Sequence, residues 1–231
     1  MRTYKKETRQ IYMSVEGRNC ETFYFAHLAE LINQSGRNTY NLKIKSMVES
    51  PMSYAKRLAH KPTETMNRSG IPYFHIQDVE DYENEVFRGK FYGIIDEMEK
   101  AKKTFHIGYE LGYSNYAFDL WMLLHVAGNI NYTVTDRHAY LKLINRHFHR
   151  KYSRMDEFKK EEEFKKILEE FVTLDSVFQA IENARRIESV NVESGNKQEN
   201  YKNYKFYHDN PATSVHEVVQ MIMELCGVSK N

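Results

Sequence analysis

Four groups of residues have types and spacings suited to chemistry. The first is Glu16, followed at once by Gly17, and the second is Asp78-Val79-Glu80-Asp81. Each comes at the end of a short apolar run that reads as a buried strand. In an open α/β sheet, sites form outside the carboxyl ends of strands. Carboxylates gathered there are hard oxygen ligands, suited to Mg²⁺ or Mn²⁺. Such ions hold a phosphodiester and stabilise charge on its attacking and leaving oxygens. Residues two apart on a strand share a face, so Asp78 and Glu80 could serve one ion. The same spacing also suits solvated turn carboxylates, which are common.

The third group is Ser114 to His125, which includes Asn115, Phe118, Asp119 and Trp121. Read as a helix capped by Ser114-Asn115, it places Asp119 one turn after Asn115. An Asp in so apolar a run needs a partner or a task. It is either hydrogen-bonded in the core or a support for a site. His125, at the far end, reads first as a core histidine. The fourth group is basic. Arg137, Lys142, Arg146, Arg150, Lys151 and Arg154 occur with no acid among them. Arg146, Arg150 and Arg154 recur at every fourth position, a spacing that on a helix could follow a phosphate backbone. A solvated face balanced by Asp156, Glu157 and Glu161 to Glu163 is the commoner meaning of such a run. No phosphate-binding glycine loop, nucleophile elbow or zinc-type histidine spacing occurs. Cys20 falls near a helix start, which could lower its thiol pKa, but with no partner visible it reads as packing.

The elements that must position these groups alternate. Strands are expected at Ile11–Val15, Tyr40–Ser46, Ile71–Ile76 and Phe105–Tyr113. Helices are expected at Glu21–Asn33, Pro51–His60, Glu85–Lys103 and Tyr116–Val126. Residues 1–128 thus predict an α/β core, a mostly parallel sheet of about four strands flanked by helices. Residues 129–231 predict an α-helical C-terminal portion packed on that core. Its helices are expected at Asp136–Tyr152, Met155–Val172, Leu174–Arg186 and Ser214–Leu225, with a polar loop at Ser189–Asn203.

The chain has 231 residues, with 33 Lys plus Arg against 32 Asp plus Glu, a net charge of +1. That excludes a globally basic nucleic-acid binder but leaves room for a local basic surface. Hydrophobic residues at 41% and charged residues at 28% fit a globular chain rather than a disordered one. Two distant cysteines, no apolar leader and no membrane-length apolar run predict a cytoplasmic protein with no membrane partner.

Together the motifs resemble the RloB-like family, a Toprim-like group of bacterial and phage-defence loci. That family carries E-G-x-x-T-E-x-x-Y-F after its first strand. Here Glu16, Gly17, Glu21, Tyr24 and Phe25 match, and Cys20 replaces Thr. Its D-x-D becomes Asp78-Val79-Glu80. Its S-N-P-x-F-E-x-W-x-L-L-H is matched at Ser114, Asn115, Phe118, Trp121, Leu123, Leu124 and His125, with Tyr116 for Pro and Asp119 for Glu. Its N-P-[SA]-T-x-[VL] is matched by Asn210-Pro211-Ala212-Thr213-Ser214-Val215. The resemblance implies a Toprim-like catalytic core with Mg²⁺ (or Mn²⁺) at Glu16, Asp78, Glu80 and Asp81, and Glu16 as the catalytic acid or base. Asn115, Asp119 and His125 would support it, and Arg146, Arg150 and Arg154 would bind DNA or RNA. It further implies phosphodiester cleavage in antiviral defence by abortive infection, beside a separately encoded ATPase. A non-enzymatic subunit that binds nucleic acid or that ATPase is the competing expectation, and primase-like nucleotidyl transfer is a third.

Overall fold

The computed structural model describes residues 6–60, 73–127 and 139–230. Strand β1 (Thr8–Val15) has five consecutive buried residues at its carboxyl end, as a central strand covered on both faces requires. Helix α1 (Cys20–Gln34) follows, then strand β2 (Asn41–Met47), whose half-exposed pattern is that of a sheet edge. Helix α2 (Pro51–Ala59) starts with proline in its first turn and a Ser50 side chain that accepts from Ser53 N–H. Strand β3 (Tyr73–Asp78) leads to helix α3 (Glu85–Phe105), capped by Asn84 and ended by His106 at φ 56°. Strand β4 (Tyr109–Asn115) leads to the short helix α4 (Asp119–Leu124).

The later segment carries helices α5 (Ala139–His147), α6 (Met155–Phe158), α7 (Glu161–Phe171) and α8 (Leu174–Glu193). A small hairpin follows, β5 (Glu199–Tyr201) with β6 (Tyr204–Phe206), then the two-residue strand β7 (Ala212–Thr213) and helix α9 (Val215–Leu225). The main sheet runs β2-β1-β3-β4-β7. The first four strands are parallel, and β7 closes the edge antiparallel to β4. The fold is thus α/β, with a mostly parallel sheet flanked by helices and a helical C-terminal region.

Side chains alternate across the sheet, as the pleat requires. Ile11, Met13, Val15, Phe74 and Ile76 join the large core formed with α1, α4, α8 and α9. Tyr12, Tyr73 and Tyr109 point the other way, into the core beneath α2 and α3. So α1, leaving β1, covers one face, while α3, leaving β3, covers the other. Between them, at the carboxyl ends of β1 and β3, the strand order switches direction and a crevice opens.

Several expected boundaries move. Ser114 and Asn115 do not cap a helix; they are the last residues of β4, paired with Thr213 and Ala212. The strand expected from Phe105 begins only at Tyr109, because α3 runs on to Phe105. The helix expected over Met155–Val172 is broken between Phe158 and Glu161. The polar run after Ser189 continues α8 to Glu193 and then forms β5. Ile71, Pro72, the 61–70 loop and residues 136–138 lie outside the described residues.

Candidate functional site

Glu16 is the first residue beyond β1. Its N–H donates to Ile76 O at 3.1 Å, carrying the β1–β3 ladder one step further. Its Oε2 accepts the Asp78 N–H at 3.1 Å and the Gln77 side-chain amide, and its Oε1 meets the Lys90 ammonium of α3. Gln77 presents its NH₂ to that carboxylate, so its Oε1 is left to accept, here from His75 Nε2 at 3.2 Å. A neutral imidazole has one donor and one acceptor. His75 Nδ1 therefore accepts from the Ser14 hydroxyl at 2.7 Å. Burial holds the His75 pKa down to about 4, which keeps that ring neutral. A buried polar chain thus fixes the orientation of Glu16.

Three further carboxylates converge from other elements. Asp78, the last residue of β3, is half-buried, with its Oδ1 shut off from solvent and, among the described residues, without a hydrogen bond. Its pKa lies well above the usual carboxylate range, through burial first and then the charge of Glu21, with Lys159 opposing. Glu21, in the first turn of α1, is buried, and burial pushes its pKa up to about 7, aided by the charges of Glu16 and Asp119. Asp119 opens α4 and is fully buried. Lys159, from the break between α6 and α7, lies 3.1 Å from Asp119 Oδ2. That is a charge contact without hydrogen-bond alignment, and among the described residues neither Asp119 carboxylate oxygen makes a hydrogen bond. Asn19 Nδ2 donates to Lys159 O at 2.9 Å, tying the loop before α1 to this lysine. A Cβ at Gly17 would overlap the Glu21 carboxylate, so a larger residue there would displace that side chain.

Glu80 follows in a turn rather than on the strand. It holds φ at 57°, its N–H donates to Tyr116 O at 3.0 Å, and Lys90 stands 3.9 Å from its carboxylate. The strand alternation expected for Asp78 and Glu80 therefore does not apply. Both still line one cavity of about 260 Å³, together with Glu16, Glu21 and Lys159. Asp81 instead lines a neighbouring cavity of about 620 Å³, which shares Glu80 and is walled in part by Arg154. Four carboxylates from four elements, a fifth in a turn and two ammonium groups thus meet where the strand order reverses.

A family model for RloB-like proteins matches residues 11–222. The chain belongs to the RloB-like family. No curated protein and no solved structure matches it. The remaining expected site residues of this RloB-like chain are placed as follows. Asn115 is buried, and its Nδ2 donates to His208 O at 2.8 Å and Asn210 O at 2.7 Å. It tethers the segment before β7 to the end of β4, and the peptide bond to Tyr116 is cis. His125 donates from Nδ1 to Trp121 O at 3.0 Å and accepts at Nε2 from Tyr24 Oη at 3.2 Å. Burial lowers its pKa to about 4. These contacts make it part of the aromatic core around Tyr24, Phe118 and Trp121.

The three arginines do not share a helix face, because α5 ends at His147 and His149 turns left-handed at φ 54°. Arg146 is exposed in the last turn of α5. Arg150 pairs with Glu170 at 2.8 Å and donates to Phe148 O. Arg154 is exposed and precedes α6. Arg137 lies outside the described residues. Burial raises the Cys20 thiol pKa well above its usual value, so the helix start does not activate it. Sequence reasoning missed Lys90, Lys159 and Gln77 as site groups and used Glu21 only as a motif match. The one available signal was that Glu21 is a carboxylate on the inward side of an apolar helix.

Proposed function

We propose that the chain is a divalent-metal-dependent phosphodiesterase of the Toprim type, cutting nucleic acid in an antiviral setting. The observation that carries this reading is the buried Asp78 Oδ1, without a hydrogen-bond partner among the described residues, at the switch point and among like charges. A buried carboxylate in that state is costly unless a cation or proton meets it. The donor set fits Mg²⁺ or Mn²⁺: it is all oxygen, with Asp78, Glu80 and Glu16 as the holding residues. A divalent ion there would stabilise negative charge on the attacking and leaving oxygens.

The chain's own groups do the rest. Glu16, locked by the Asp78 N–H and the Gln77 amide, is oriented to exchange a proton with the attacking or leaving oxygen. Lys90 and Lys159 draw the anionic phosphate into the cavity and limit repulsion among the acids. Arg154 and Arg146 lie exposed to meet the flanking backbone. A second reading, a nucleic-acid-binding or ATPase-partner subunit without catalysis, is favoured by Lys90, which pairs with both Glu16 and Glu80 and offsets part of their charge without metal.

Incubation with single- and double-stranded DNA and RNA, with Mg²⁺ or Mn²⁺, decides between the two. Cleavage that Glu16→Gln lowers by about 10²-fold or more supports the enzyme. Equal cleavage by native protein and Glu16→Gln, or none with either metal, refutes it.

A further inference from the structure

A second group of ligand-type side chains lies outside the acid cluster. Glu83, His208 and Asp209 bring one ligand atom each to within 4.8 Å of one another. Glu83 belongs to the turn between β3 and α3, and His208 and Asp209 to the segment before β7. His208 decides the matter. It is 8% exposed, its ring stacks on Tyr82 with centroids 4.0 Å apart, and among the described residues neither ring nitrogen finds a hydrogen-bond partner. Nδ1 lies 2.7 Å from Asp209 Oδ1, but as a close approach rather than an aligned hydrogen bond. An imidazole buried with its nitrogens unsatisfied costs free energy unless something accepts their lone pairs or protons.

We propose that Glu83, His208 and Asp209 form a second metal site, selective for Zn²⁺ or a similar transition ion over Mg²⁺. The chemistry is that of the donor set: one imidazole nitrogen with two carboxylate oxygens suits Zn²⁺ or Co²⁺, whereas Mg²⁺ takes oxygen alone. The supporting shell is already built. Asn115 holds the His208 and Asn210 carbonyls, and the Tyr116 hydroxyl donates to Asp209 O at 3.1 Å. The main chain of this segment is therefore anchored, and Tyr82 fixes the imidazole plane. Glu83 and Asp209 are exposed, which leaves coordination positions for water. An ion here would clamp the segment before β7 to the turn that begins at Glu80. The site is thus distinct in residues and donor type from the acid cluster, and does not depend on the nuclease reading.

The test is Co²⁺ titration of metal-stripped protein in excess Mg²⁺, followed by visible absorption, with Zn²⁺ calorimetry alongside. One equivalent should bind, with d–d bands indicating a nitrogen-containing site. The Glu83→Gln/Asp209→Asn variant alters only exposed side chains and should retain its circular dichroism while losing at least about tenfold in affinity. His208→Ala should do the same, and Asp78→Asn should leave the bound equivalent in place. No bound equivalent, or unchanged affinity in Glu83→Gln/Asp209→Asn, overturns the proposal.

Discussion

Replacing Glu21 by Gln reads out the charge state of the candidate site directly. Burial and neighbouring carboxylates hold this carboxyl at about 7 against an ordinary 4.5. A raised acid favours the folded chain when protonated. That contribution is complete below about pH 4.5 and is lost as pH rises through about 7. At about 1.4 kcal/mol per tenfold change in proton affinity, the metal-free fold loses roughly 3 kcal/mol, most of it between pH 5 and 8. That is a large share of a typical stability of about 5–15 kcal/mol. Gln has the shape of the protonated acid and cannot ionise. In guanidinium denaturation with EDTA, Glu21→Gln should gain roughly 2–3 kcal/mol more over native protein at pH 8 than at pH 5. Any constant offset from the amide cancels in the change with pH, which is the quantity tested. If the difference between variant and native is the same at both pH values, Glu21 is not held protonated and the electrostatic account of the site fails.

Mg²⁺ or Mn²⁺ should raise the melting temperature of native protein, by mass action on the folded state, and Asp78→Asn should abolish the rise in differential scanning fluorimetry. Lys159→Met should destabilise the fold by about 3–5 kcal/mol, because it leaves a buried carboxylate uncompensated, and Asp119→Asn in the same chain should restore much of that in urea denaturation. Arg154→Glu should weaken nucleic-acid binding and lower the log-log salt slope by roughly one unit or more, while Arg150→Glu, which breaks an ion pair with Glu170 and a hydrogen bond to Phe148 O, should leave the slope unchanged in fluorescence anisotropy.

The core strands were legible because their signals are local. Ile11 to Val15 and the alternating Leu42 and Ile44 carry their own period, and a helix lies between each parallel pair. The short strands were not legible. Ala212–Thr213 has no pattern of its own and is a strand only because β4 leaves an unpaired edge beside it. The arginine spacing misled for a similar reason: a repeat of four means a shared face only while the helix lasts, and α5 stops at His147. Glu16 and Asp78 could be placed at one sheet edge from their position after apolar runs. Their lysine partners could not, since Lys90 lies on a largely polar helix face and Lys159 at a helix break far along the chain. No spacing rule connects residues that meet only through tertiary packing.

The strand order explains why charge gathers where it does. In β2-β1-β3-β4, the chain leaves β1 in one direction to reach β2 and later crosses to β3 on the other side. Helix α1 therefore covers one face and α3 the opposite face, and neither covers the carboxyl ends between them. Groups placed at that opening face one another from both sides: Glu21 from α1, Lys90 from α3, and Glu16 and Asp78 from the strand ends. An apolar filling would close the crevice and stabilise the fold. The chain instead places carboxylates there, two of them raised in pKa by burial and mutual repulsion. Such an arrangement costs the protein free energy at neutral pH; the divalent ion proposed for the site would offset that cost on binding and so tie its occupancy to the β1–β3 edge.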